Sequence, residues 1–136
     1  MQQDGRRKPR IMVVDDDEIC LEVTKERLVA AGYEVILRTS ALGTSAAIMR
    51  ERPNAVLLDQ NMPGLTGEQL AQLVRQPGDG KVALILYSSE PLTQLQERAK
   101  RCRATGAIEK TSDAQYFVRQ LRELLRPTAA DEPERA

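Results

Sequence analysis

The sequence predicts a three-layer α/β domain, a doubly wound parallel sheet of five βα units with strand order 2-1-3-4-5. Three observations carry this expectation. Five short apolar runs recur along the chain, most of them continuously apolar, as in parallel strands covered on both faces. Between them lie amphipathic stretches of roughly 10–15 residues, the spacing of crossover helices. The 136 residues suit one domain, long enough to bury a core but too short for a second catalytic domain. Right-handed crossovers with helices on both faces leave few topologies, and this order is the natural one.

Taken in order, residues 11–14, 35–37, 55–58, 82–86 and 107–108 are the strand candidates. Gly32 closes the first helix. Pro91 suits the opening turn of the fourth. The fifth helix is the clearest, since Ala114, Phe117, Val118, Leu121, Leu124 and Leu125 recur at helical spacing before Pro127 stops it. Residues 1–9, with Arg6, Arg7 and Lys8 against Asp4, read as a flexible basic tail. The domain is expected over 10–126, and 127–136 has the composition of a flexible tail or the start of a linker.

Composition narrows the function. Twenty Lys and Arg balance twenty Asp and Glu, so no global charge draws the chain to nucleic acid or an anionic membrane. There is no histidine, which excludes His-dependent triads, His metal clusters and a phosphohistidine donor. Cys20 and Cys102 lack metal-ligand spacing and fit a reducing compartment. No apolar run approaches the ~18–20 residues of a membrane span, and the first ten residues lack a signal peptide's apolar stretch. A cytoplasmic protein is expected.

In such a sheet, ligands bind beyond the carboxyl ends of the strands, where the strand order reverses. Asp15, Asp16 and Asp17 follow the first strand, Asp59 the third, Ser88 and Ser89 the fourth, and Glu109 and Lys110 the fifth. Each alone has a plainer role. Asp17 suits a helix N-cap, Asp59 a turn toward Pro63-Gly64, Ser88 a turn hydroxyl and Lys110 a solvated loop charge. Their arrival together at one rim is what points to chemistry. Three ionised carboxylates within ~4 Å repel by about 4 kcal/mol per pair at an effective dielectric near 20. With ordinary pKa values near ~3.9, protons relieve this poorly at cellular pH. A small divalent cation does, and all-oxygen ligation selects Mg²⁺ or Mn²⁺. Such an ion leaves a phosphate-sized vacancy that Lys110 and Ser88 are placed to engage. If a covalent acyl phosphate forms, one Asp attacks, and charge alone does not say which.

Val13-Val14-Asp15-Asp16-Asp17, Leu57-Leu58-Asp59-Gln60-Asn61-Met62-Pro63-Gly64-Leu65-Thr66-Gly67, Ser88-Ser89 and Lys110 together resemble the motif set of response-regulator receiver domains, of single-domain type, from bacterial two-component signalling. The resemblance covers approximately residues 9–126 and implies a flavodoxin-like (βα)5 fold. It implies Asp59 as the phosphoacceptor, with Asp16, Asp59 and the Asn61 carbonyl contacting Mg²⁺ directly and Asp15 acting largely through water. Ser88 is then the hydroxyl that moves onto the phosphoryl group, Lys110 its ion-pair partner, and Asn61 and Glu90 the side chains that tune its lifetime. The resemblance further implies a phosphohistidine donor on a sensor histidine kinase or phosphotransfer domain, or a small acyl phosphate. It implies a receiver that catalyses its own loading and, slowly, its own reset, without being a classical turnover enzyme.

Two positions depart from the family. Receivers usually place Pro after this Lys, where Thr111 stands here, and many place Tyr or Phe three residues before it, where Ala107 stands. The site chemistry is untouched, but the aromatic part of the output switch is missing. Tyr87, beside Ser88, is the nearest substitute, although a packed aromatic is the commoner role for such a residue. Ten residues follow Arg126, so the expected output is protein–protein contact through the fourth helix, fifth strand and fifth helix, or phosphorelay, unless an attached partner was lost by truncation. Neither direct nucleic-acid binding nor membrane binding is expected. The downstream protein is unknown, and the chain is expected to be a monomer or weak dimer. The alternative reading is a phosphorylation-independent adaptor with a receiver fold, favoured only by Ala107 and Thr111. A flavin carrier on a similar sheet is a poor fit, because an FMN phosphate would want hydroxyls and glycines where Asp15-Asp16-Asp17 stands.

Overall fold

The structure, a computed structural model of the chain, describes residues 8–60 and 82–126. In chain order these form β1 (Arg10–Val14), α1 (Glu18–Ala30), β2 (Glu34–Arg38), α2 (Thr44–Glu51), β3 (Ala55–Asp59), β4 (Ala83–Ser88), α3 (Leu92–Cys102), β5 (Gly106–Glu109) and α4 (Ala114–Leu125). The stretch expected to hold the third helix lies outside the described residues, so α3 and α4 are the fourth and fifth helices of the sequence expectation.

All strand pairs are parallel, in the order β2-β1-β3-β4-β5. This is the order expected from the sequence. Three strands run past the ends of their apolar runs, β3 to Asp59, β4 to Ser88 and β5 to Glu109, whereas β4 starts one residue late, at Ala83 rather than Val82. Ladder hydrogen bonds come from the backbone, so a polar side chain at the strand end does not stop pairing.

Alternation along the strands sorts the core onto two faces. Ile11, Val13, Ala55, Leu57, Ile85, Tyr87 and Ile108 pack with Leu21 and Leu28 of α1 and with Phe117 and Leu121 of α4. Met12, Val14, Val56, Leu58, Leu84 and Leu86 pack on the other face with Ala47 and Ile48 of α2 and with Leu95, Ala99 and Cys102 of α3. The central strands are therefore apolar on both sides, as their sequence requires.

The helix ends follow local chemistry. Asp17 accepts from the Ile19 and Cys20 N–H groups at 3.0 and 3.3 Å and caps α1. Asp113 caps α4 in the same way through the Tyr116 N–H. Past the end of α1, Gly32 has φ +99°, a conformation that L side chains rarely adopt. Pro91 sits at the N-cap of α3, one position ahead of its first turn. No helix among the described residues is long and apolar enough to cross a membrane.

Phe117 is fully buried, 5.6 Å from the Tyr87 ring and under the Arg27 guanidinium. We expect Phe117→Ala to cost about 3–5 kcal/mol and Leu42→Ala, at an exposed position, less than about 0.5. Urea unfolding that moves the midpoint at constant slope is the check.

Candidate functional site

Register brings the chemistry together. Val14 pairs with Leu58, so the residues that follow, Asp15 and Asp59, leave neighbouring strands side by side. Ser88 pairs with Glu109, so Lys110 emerges just beyond Ser88, and its N–H donates to the Ser88 carbonyl at 2.8 Å. No residue near Asp15 in sequence predicts its partner, because Lys110 is 95 positions away.

The three consecutive acids divide into three roles. Asp15 continues the ladder by donating its N–H to the Arg38 carbonyl, and its carboxylate, fully buried, accepts the Asp17 N–H at 2.9 Å. Asp16 is exposed, and Asp17 is spent on the helix cap. Asp59 is 4% exposed at the end of β3. One carboxylate oxygen from each of Asp15, Asp16 and Asp59 lies within 4.8 Å of the other two. Lys110 Nζ donates to Asp15 Oδ2 at 3.1 Å and stands 3.6 Å from Asp59 Oδ1. It also lies over the Tyr87 ring at 5.3 Å.

At this spacing each carboxylate pair repels by about 3–4 kcal/mol at an effective dielectric near 20. One lysine offsets part of that for three acids and leaves the cluster net negative. Burial alone would raise the Asp15 pKa, but the Asp17 N–H, the Cys20 side chain and Lys110 outweigh it and hold the carboxyl below its usual range. Burial alone would likewise lower Lys110. Its bond to Asp15 and the Asp59 and Asp15 charges reverse this and push its pKa well up. Carboxylate oxygens with no histidine or thiolate among them suit a hard divalent cation such as Mg²⁺.

Ser88 reaches the same rim from the other side of the sheet. It is fully buried, and its Oγ accepts the Glu90 N–H at 3.1 Å. Glu90 is held in turn by Arg98 of α3, in a two-pronged ion pair at 3.0 and 3.3 Å. Asn61 lies outside the described residues. Tyr87 packs among the α1 and α4 core residues, with its hydroxyl 3.3 Å from Thr24 Oγ1, whereas Ala107 packs against the opposite face. Tyr87 is thus an anchored core ring and a platform for Lys110, and it does not stand in for an aromatic at 107.

Sequence reasoning missed the Thr24–Tyr87 bond, the Arg27 contact to the Thr111 carbonyl at 2.8 Å and the Glu90–Arg98 clasp. The i,i+8 spacing of Glu90 and Arg98 across a helix start is the only one of these with a readable signal.

Residues 11–122 match the family described as response regulator receiver domain. The chain belongs to that family. Membership places it in two-component signalling. It is 31% identical over 123 residues to the response regulator MprA of Mycobacterium sp. (strain KMS), covering 90% of this chain and 53% of MprA. It is 35% identical over 101 residues to the virulence sensor protein BvgS of Bordetella pertussis, covering 71% of this chain and 8% of BvgS. The chain thus spans about half, or far less, of the length of these relatives. Among solved structures, a response regulator receiver protein from Burkholderia phymatum is 28% identical, with TM-score 0.71 over 87% of this chain and 95% of that one. The chemotaxis response regulator CheY4 of Vibrio cholerae, 23% identical, shares the fold with TM-score 0.76 over 87% of this chain and 99% of that one.

The two pKa directions set a stability window. A depressed Asp15 contributes stability above its unfolded pKa of ~3.9, lost as pH falls through the folded value. A raised Lys110 contributes below its unfolded pKa of ~10.4, lost as pH rises toward the folded value. The stability gap between the wild type and Lys110→Ala, measured by urea unfolding without added metal, should be widest near neutral pH and shrink below about pH 4 and above about pH 10.

Proposed function

We propose that this receiver is a switch loaded by Mg²⁺-dependent phosphoryl transfer to Asp59 from a phosphohistidine of a histidine kinase or phosphotransfer domain. The observation that carries the reading is the meeting of Lys110 Nζ with the carboxylates of Asp15 and Asp59, beside Asp16. An oxygen of Asp59 forms the new bond to phosphorus. The bond from phosphorus to the donor imidazole nitrogen breaks, and that nitrogen keeps the electron pair. Water later cleaves the mixed anhydride and resets the site.

Asp15, Asp16 and Asp59 would hold the ion, with the Asn61 carbonyl as a further ligand carried over from the family. When bound, Mg²⁺ supplies positive charge to the transferring oxygens. Lys110 adds a second fixed cation beside Asp59, so that catalysis is positioning and electrostatics. Tyr87 lies beneath that cation, and the Ser88 carbonyl accepts the backbone N–H of Lys110. The lysine can lean from Asp15 toward a phosphorylated Asp59 without a new backbone path.

Phosphorylation adds up to about two negative charges. We assign Ser88 Oγ as the hydroxyl that exchanges the Glu90 N–H for the phosphoryl group, and Asn61 and Glu90 as the side chains that tune its lifetime. The loop from Ser88 to Glu90 then carries the change into α3, β5 and α4, the surface for protein contact or phosphorelay. A shift from 1:99 to 99:1 needs about 5.5 kcal/mol of differential stabilisation. With Ala107 in place of a ring, that has to come from polar contacts and loop repacking. A cytoplasmic setting goes with a kinase-linked switch of this kind.

With Mg²⁺ and acetyl phosphate, wild-type protein should gain one phosphoryl group by mass and Asp59→Asn should gain none; modification of Asp59→Asn at the wild-type rate removes Asp59 as nucleophile. Asp16→Ala should weaken Mg²⁺ binding at least tenfold, while Asp17→Ala should leave it near wild type and lose about 1 kcal/mol of stability as a missing cap. Lys110→Ala should keep metal binding but load on the order of 10²–10³ times more slowly, by analogy with loss of one charge-stabilising donor. Isothermal titration and time-resolved mass spectrometry separate these outcomes.

A further inference from the structure

A basic concavity lies away from the acidic rim. A groove of about 530 Å³ runs between the end of α1 and the length of α4. Arg27, Arg119, Arg122 and Arg126 line it, with Ala31 and Val118 as apolar floor and Glu123 as its lone acid. The guanidiniums are held in place by mostly neutral partners. Arg27 donates to the Thr111 carbonyl, Arg122 donates to the Ala31 carbonyl at 3.3 Å, and Arg119 lies over the Tyr116 ring. Among the described residues, only Arg126 has an acidic partner, Glu123 at 3.0 Å. Four cations against one carboxylate make a fixed positive strip, and the carbonyls and ring that orient it do not neutralise it.

The sequence supplies a matching strip of opposite sign. Arg126 is on the groove's lip, and the residues that follow it include Asp131, Glu132 and Glu134, with Arg135 the next cation after Arg126. We propose that the acidic segment 131–134 of this chain lies back along α4 in the arginine groove, an intramolecular contact that covers the α1–α4 face. Reach permits it. Five residues from Arg126 to Asp131 span at most ~16–18 Å. Arg119 lies seven helical residues back from Arg126, roughly 10 Å along the axis. A tether this short holds the acids at an effective concentration on the order of millimolar beside the arginines, so weak surface pairs suffice. A partner that reads the α1–α4 face has to displace this segment. Because Arg27 also holds the carbonyl of Thr111, next to Lys110, the groove and the acidic rim share one side chain.

The test is amide NMR of the full chain, comparing the wild type with Asp131→Asn/Glu132→Gln/Glu134→Gln at low salt and at about 1 M salt, where the screening length falls to ~3 Å. The neutralised variant should shift the amides of Ala30, Ala31, Val118 and Arg122 at low salt, and salt should move the wild-type signals to the same positions. Ala30 and Ala31 are some 100 residues from the substitutions, so sequence-local effects cannot produce their shifts. Charge reversal from the other side, Arg119→Glu/Arg122→Glu, should remove the salt response. Superimposable low-salt spectra for the wild type and the neutralised variant overturn the proposal. Shifts that grow with protein concentration also overturn it, because a second copy is then the occupant.

Discussion

Three carboxylates gathered within 4.8 Å on a largely buried rim are stable only if the fold delivers positive charge to them. The rest of this structure is arranged around that requirement. Lys110 meets it from the far strand, reaching Asp15 and Asp59 across a sheet whose order puts β1 beside β3 and β5 beside β4. The compensation is incomplete: one amine among three acids leaves the cluster net negative.

The same rim separates the two faces of the sheet. Asp15, Asp59 and Lys110 continue the strand positions that face α1 and α4, whereas Ser88 continues those that face α3. Charge placement is therefore tied to the well-filled face, where Tyr87, Phe117 and Thr24 leave little freedom. The hydroxyl is tied to the face where Ala107 packs and where the Glu90–Arg98 pair holds the loop. The acids are thus backed by a tightly packed face, and the hydroxyl by a loop held through an ion pair.

Much of this was legible from residue order. Continuous apolar runs implied buried parallel strands, the Asp17 position marked a helix start, and Gly32 marked a helix end, because each depends on interactions within a few residues. Strand ends were less legible. Asp59, Ser88 and Glu109 belong to their strands although they interrupt the apolar pattern, since pairing is a property of the backbone. The arginine groove was not legible at all: Arg27 and Arg122 are 95 positions apart and ordinary solvated charges until α1 and α4 pack together.

By itself the sequence determined the layer architecture, the chemical inventory of the rim and the exclusion of histidine chemistry, because periodicity and residue type are local quantities. Only the tertiary structure decided that Asp15 is buried against the lysine while Asp16 faces solvent. It alone also decided that Tyr87 is pinned to Thr24, on the opposite face from Ala107. Those outcomes rest on register and on which side of a strand a residue points, and both are fixed by contacts between segments that lie far apart along the chain.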